Sequence, residues 1–125
     1  MIIAGLGFSS KATKEDMCKA IHMAFEQAGA PLSELAGLAT SGHKRESVPL
    51  RLCAEALGVE VNYIAQKELE QMEALTITRS ERSLAATGVP CLSEAAALAA
   101  GTGGHLLAAR LICGPVSCAL VQLGE

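Results

Sequence analysis

Two short polar stretches of the sequence carry residue types suited to binding an anion, and the first is "GLGFSSKAT". Its two glycines would let the backbone approach a ligand closely, and free amides at the start of a helix favour negative charge. The residues of this loop that we expect to contact a ligand are Gly5, Gly7, Ser9, Ser10, Lys11 and Thr13. The alternative is a tight strand-to-helix turn that binds nothing.

Neither glycine motif for nucleotides fits this loop. A dinucleotide fingerprint would need Gly or Ala at position 10, where the chain has Ser10. A P-loop would need a Gly-Lys-Ser/Thr triplet, which the sequence does not contain. The loop therefore predicts a site for an anion other than a nucleotide phosphate.

The second stretch is "TSGHKRES", which begins at Thr40. His43 titrates near neutral pH and is a candidate general base, with Glu46 as a second candidate for acid or base chemistry. Lys44 and Arg45 could pair with carboxylates of a ligand. The alternative is a charged loop that is simply solvated.

A third candidate lies in "TGVPCLSEAAALAAG". Thr87 and Gly88 fall in an expected loop, and Ser93 with Glu94 opens an alanine-rich helix. These two side chains either cap that helix and complement its dipole or face the same ligand site. The His, Cys, Asp and Glu residues lack metal-site spacing, so we expect neither a metal nor a cofactor.

These residues are positioned by elements that alternate between strand and helix. The pattern predicts one domain, residues 1–125, with a three-layer α/β/α fold and a mostly parallel sheet. The runs "HLLAARLI" and "VSCALVQL" predict a terminal hairpin, which makes the sheet mixed. Ligands of such sheets bind beyond the carboxyl ends of the strands. We therefore expect the loops 5–13 and 40–47 to lie at the same edge.

Composition limits the possible partners. The net charge of −3 and an aromatic content of 2% argue against binding nucleic acid. The sequence has neither a long apolar span nor a recognisable signal peptide, so we expect a cytoplasmic protein without membrane contact. The five cysteines have irregular spacing in apolar surroundings, which predicts buried, reduced thiols.

Three segments together resemble a family of cobalamin-biosynthesis proteins, the CobE proteins and the C-terminal domain of CbiG. The segments are "GLGFSSKATKEDMCKAIHMAFEQAGAPLSEL", "LATSGHKRESVPLRLCAEALGV" and "SERSLAATGVPCLSEAAALAAG". The resemblance spans nearly the whole chain in order and is similar to the stand-alone CobE form. One departure is Phe8-Ser9-Ser10, where the family usually carries a Cys and Arg pair.

The resemblance implies a role in building the corrin ring. The first expectation is a protein that binds a precorrin-type tetrapyrrole, a polycarboxylate that suits basic and hydroxyl-rich loops, with the alanine-rich segment against the macrocycle. The second is a hydrolase that opens a ring lactone with release of acetaldehyde, for which His43 or Glu46 would activate water. The third is a module that docks onto pathway methyltransferases. Other pathway enzymes are therefore expected partners.

Overall fold

The computed structural model describes residues 1–124, whose strands form a five-stranded sheet in the order β3-β2-β1-β5-β4. The strands are β1 Ile2–Phe8, β2 Leu35–Ser41, β3 Glu60–Ile64, β4 His105–Cys113 and β5 Val116–Gln122. β1 pairs in parallel with β2, and β2 with β3, whereas β5 runs antiparallel to both β1 and β4. The predicted α/β fold with a terminal hairpin is confirmed, but the sheet is partly rather than mostly parallel.

The helices cover both faces of this sheet. They are α1 Lys14–Ala28, α2 Val48–Leu57, α3 Gln66–Gln71, α4 Glu81–Thr87 and α5 Leu92–Ala100. α1 and α2 pack on one face, and α3 and α5 pack on the other. Short 3₁₀ turns cover Leu32–Glu34, Gly42–Lys44 and Glu73–Leu75.

Local sequence signals set the ends of α1 and α2. Thr13 and Asp16 form a reciprocal capping box at the start of α1. Ser47 caps α2 by accepting a hydrogen bond from the amide of Leu50. Gly29 and Gly58 end these two helices in the left-handed conformation, with φ of 70° and 72°.

The two faces of β1 are distinguished by the alternation of its side chains. Ile2, Ala4 and Leu6 enter the core beneath α1 and α2, whereas Ile3 enters the core beneath α5. The strand includes Gly5 and Gly7, which the sequence analysis placed in a loop. The strand continues to Phe8 because the last three residues still pair with β5 of the terminal hairpin.

Across residues 1–124, no single helix is long and apolar enough to cross a membrane. Within the same residues, the pair α4 and α5 is long and apolar enough only when the two helices are counted together. The two helix axes differ by 64° at the break between them.

Candidate functional site

A cavity of about 600 Å³ lies beyond the carboxyl ends of β1 and β2. Its walls come from the end of β1, the turn after β2, helix α4 and the β4–β5 hairpin. Apolar lining side chains include Phe8, Leu92, Ile112 and Val116. This is the place where ligands of parallel sheets bind, and the volume is in the range of small-molecule sites.

The charged side chains that line the cavity are all basic. They are Lys44, Arg82 and Arg110, and His43 lies beside them. Among the described residues, no Asp or Glu lines the cavity. A site with several cations and no carboxylate to neutralise them favours an anionic ligand with more than one negative group.

The two predicted loops do meet at this edge of the sheet. The ammonium of Lys44 sits 4.9 Å from the centroid of the Phe8 ring, which is a cation–π contact between the loops. Beneath them, the hydroxyl of Thr40 donates a 2.8 Å hydrogen bond to the carbonyl of Leu6. Thr40 is fully buried, so it joins β2 to β1 and, contrary to the sequence-based expectation, is not available to a ligand.

Several of the amides that the sequence predicts to be free in the first loop have partners within the protein. The amide of Ser9 donates to the carbonyl of Pro115, and the amide of Lys11 donates to the side chain of Ser9. The amide of Thr13 donates to the Asp16 carboxylate in the capping box. Of the predicted ligand contacts in this loop, Gly7 and Ser9 line the cavity, and Gly5, Ser10, Lys11 and Thr13 do not.

Gly5 has a packing role inside β1 and not a ligand role in a loop. A Cβ at this position would collide with the carbonyl oxygen of Ser93 and lie 2.8 Å from the Cβ of Ala97. Both contacts belong to α5, so the missing side chain is what lets this helix lie directly on the strand. The Gly-x-Gly spacing thus places two glycines on one face of a strand. The sequence analysis had instead placed them in a turn.

Some residues of the second loop line the cavity, and others lie outside it. His43 and Lys44 line the cavity, while the guanidinium of Arg45 stacks 5.3 Å from the ring centroid of Tyr63. Glu46 is exposed and is not among the lining residues. The cavity therefore contains one of the two candidate acid/base groups that the sequence suggested.

Glu94 has a structural role. Its buried carboxylate accepts hydrogen bonds from the amides of Ile77, Thr78 and Arg110 and from the hydroxyl of Thr78, at 2.7 to 3.0 Å. Burial alone would raise the pKa of Glu94, but these hydrogen bonds outweigh it and lower the pKa. Glu94 thereby fixes the segment that leads to α4 and the backbone that carries the Arg110 side chain.

The other residues predicted from this segment are divided between structural positions and the cavity. Ser93 is fully buried and Cys91, not Ser93, is the N-cap of α5. Thr87 lines the cavity, and its hydroxyl donates to the carbonyl of Ser83. Gly88 ends α4 with φ of 78°. The alanines of α5 pack on the sheet, and none of them lines the cavity.

Sequence reasoning missed the two arginines of the cavity. Arg110 is the one Lys, Arg, Asp or Glu residue in the apolar run "HLLAARLIC". An isolated charge on a predicted strand could have indicated a functional residue. Arg82 lies in the first turn of a short helix and gave no comparable signal. The remaining histidines, His22 and His105, are exposed and lie outside the cavity.

All five cysteines are free thiols. Cys53, Cys91 and Cys118 are buried, as predicted, and Cys18 and Cys113 are partly exposed. Within residues 1–124, no group of three or more His, Cys, Asp or Glu side chains is placed to hold a metal ion.

Comparison with known proteins identifies the family. The family described as "Cobalamin synthesis G C-terminus" matches residues 2–121. The crystal structure of CobE, a protein from the cobalamin (vitamin B12) biosynthetic pathway, is 30% identical, with a TM-score of 0.93, and the match covers 99% of this chain and 91% of that one. No curated protein sequence matches the chain.

Two further solved structures are similar to the chain. The cobalamin biosynthesis protein ChiG from Agrobacterium tumefaciens str. C58 is 33% identical over the full length of both chains, with a TM-score of 0.79. A cobalamin biosynthesis protein G homologue from Sulfolobus solfataricus shares the fold at 18% identity and a TM-score of 0.76, covering 98% of this chain and 37% of that one. The chain therefore belongs to the cobalamin synthesis G C-terminus family, and with it to cobalamin biosynthesis.

Proposed function

We propose that the cavity binds a precorrin-type tetrapyrrole through the carboxylates at the edge of its macrocycle. The observation that carries this proposal is the lining itself, in which the charged side chains are Lys44, Arg82 and Arg110. These three come from three different elements, namely the turn after β2, helix α4 and strand β4. A ligand with several separated carboxylates could meet more than one of them at once.

The rest of the lining suits the macrocycle. Phe8, Leu92 and Ile112 offer apolar surface. The hydroxyl groups of Ser9, Ser41 and Ser80 accept hydrogen bonds from backbone amides and can still donate to a ligand. Ile112 is 61% exposed, which leaves an apolar side chain without a protein partner at the rim. A flat, largely apolar ring with charged arms would cover that surface while its arms reach the cations.

The test is a titration of the protein with hydrogenobyrinic acid, a metal-free corrin polycarboxylate, followed by visible absorbance and by co-elution in gel filtration. Lys44→Ala and Arg82→Ala should each raise Kd by roughly 5-fold to 150-fold, because each loses about 1–3 kcal/mol of charged hydrogen bonding. Arg51→Ala is the matched control, since Arg51 is an exposed cation on α2 outside the cavity.

The outcome separates binding from other roles. Absence of both a spectral change and co-elution at micromolar concentrations would overturn the proposal. Equal affinities for the cavity variants and the Arg51→Ala control would show that the ligand sits elsewhere. In the first case a docking role with other pathway enzymes, tested by pull-down with loop variants, would become the better explanation.

One observation favours catalysis as a second candidate. His43 is the titratable group of the cavity that could accept a proton from water, and lactone opening needs such a base. Release of acetaldehyde from a lactone-bearing precorrin, lost in His43→Ala while binding persists, would make the protein a hydrolase. Binding alone with no product would leave it a tetrapyrrole-handling protein.

A further inference from the structure

Two cysteines far apart in sequence meet on the face of the sheet opposite α5. The sulfur atoms of Cys18 on α1 and Cys53 on α2 are 3.2 Å apart, and one thiol hydrogen-bonds the other. Cys53 is fully buried, whereas Cys18 is partly exposed at the edge of the same helix pair. This arrangement gives an accessible thiol with a protected partner directly behind it.

The distance between the two sulfur atoms is close to the length of a disulfide bond. A disulfide needs its sulfur atoms about 2.05 Å apart, so the pair must approach by roughly 1.2 Å, a shift of the size that side-chain rotation supplies. Two further thiols belong to this core: Cys118, which is fully buried on β5, and Cys113, which is partly exposed on β4. Within the Cys18–Cys53 pair, Cys18 is therefore the thiol that a solute can reach first.

We propose that Cys18 and Cys53 form an oxidisable dithiol that peroxide converts to a disulfide between α1 and α2. In the first step, the Cys18 thiolate attacks a peroxide oxygen and the O–O bond breaks, so that Cys18 becomes a sulfenic acid. The hydroxide that leaves takes up the proton released by the Cys18 thiol and becomes water. In the second step, the Cys53 sulfur attacks the Cys18 sulfur, the S–S bond forms and the S–O bond breaks. The leaving hydroxide takes the Cys53 proton, so the two thiols and one hydrogen peroxide give one disulfide and two waters.

The order of these steps follows from burial. Desolvation, together with the neighbouring Cys18, raises the pKa of the Cys53 thiol to about 12, so Cys53 stays protonated at neutral pH. A protonated, enclosed thiol reacts poorly with peroxide in solution. It is nevertheless placed to resolve a sulfenic acid that forms 3.2 Å away.

Oxidation would link α1 covalently to α2 and close a loop of the chain between Cys18 and Cys53. The chain between the two cysteines includes β2 and the turn that carries His43 and Lys44. Closing this loop reduces the freedom of the unfolded chain and should stabilise the folded protein. The proposal concerns the helix face opposite α5 and does not depend on what the cavity binds.

The experiment treats the full chain with equimolar hydrogen peroxide and counts thiols in denaturant before and after. We expect the count to fall from five to three. Tryptic digestion without reductant should yield Glu15–Lys19 linked to Leu52–Lys67, lighter by two hydrogens than the sum of the two peptides. The oxidised protein should melt roughly 5–15 °C higher, and a thiol reductant should reverse both changes.

Variants make the assignment specific. Cys18→Ser should abolish the crosslink, whereas Cys113→Ser, which changes a partly exposed cysteine outside the pair, should leave it intact. Five thiols after oxidation, a link from Leu52–Lys67 to the peptide of Cys118, or a lower melting temperature would each overturn the proposal. The wild-type digest gives this answer even where a variant folds poorly.

Discussion

At the residue scale, the clearest case is a glycine that the sequence presents as a ligand-binding residue and the structure uses for packing. Gly5 lies in β1 where α5 crosses the sheet, and a side chain added there would meet helix atoms, the carbonyl of Ser93 and the Cβ of Ala97. Backbone atoms cannot rotate away as a flexible side chain can. The close approach of α5 therefore depends on the absence of a Cβ at this position.

Gly5→Ala should lower the free energy of unfolding by about 3 kcal/mol, at the upper end of the cost of overpacking, because α5 must move away from β1. Urea denaturation measures this loss. Gly37→Ala is the matched control on β2, because the nearest atoms to its new Cβ lie at 3.4 Å, an ordinary contact. A Gly5→Ala protein as stable as the Gly37→Ala protein would contradict the packing role.

At the element scale, local signals predicted most of the fold. Capping boxes, glycine C-caps and period-2 or period-3.6 patterns depend on neighbouring residues, so α1, α2 and the hairpin were predictable. The end of β1 was not, since Leu6–Phe8 stay in the strand only through pairing with β5, more than a hundred residues away. The same holds for the site, where Arg110 joins Lys44 only because the hairpin returns β4 to the sheet.

Glu94 joins the segment that leads to α4 with strand β4. The pH dependence of the stability that Glu94 provides can be tested. Its pKa is lowered in the folded protein, because the hydrogen bonds to the carboxylate outweigh the opposing effect of burial. The unfolded chain therefore binds a proton at higher pH than the folded chain does. The stabilisation from Glu94 is complete above the pKa of an ordinary Glu and is lost as pH falls through the lowered, folded value.

Glu94→Gln should lower the free energy of unfolding at pH 7 by about 2–3 kcal/mol, because the amide replaces a charged acceptor of four hydrogen bonds. Denaturation at pH 7 and at pH 3 should show a smaller difference for this variant than for the wild type. Glu26→Gln, at an exposed position on α1, is the control and should keep the wild-type difference. An unchanged pH dependence in Glu94→Gln would rule out this carboxylate as the acid-sensitive group.

At the scale of the whole molecule, the net charge and the charge of the cavity have opposite signs. The chain carries a formal charge of −3, yet the charged side chains lining the cavity are the cations Lys44, Arg82 and Arg110. A polycarboxylate is repelled by the molecule at long range and attracted at the cavity. Its affinity should therefore depend on interactions over a few ångströms, which salt screens as the Debye length falls from about 10 Å at 0.1 M to about 3 Å at 1 M.

We expect the Kd for hydrogenobyrinic acid to rise roughly tenfold or more between 0.1 M and 1 M NaCl, measured by the same absorbance titration. Arg82→Ala should bind more weakly and show a shallower dependence on salt, because one of the screened pairs is gone. A macrocycle whose carboxylates are converted to amides should bind with little salt dependence. If the polycarboxylate itself were insensitive to salt, the apolar walls around Phe8 and Ile112, and not the three cations, would have to account for recognition.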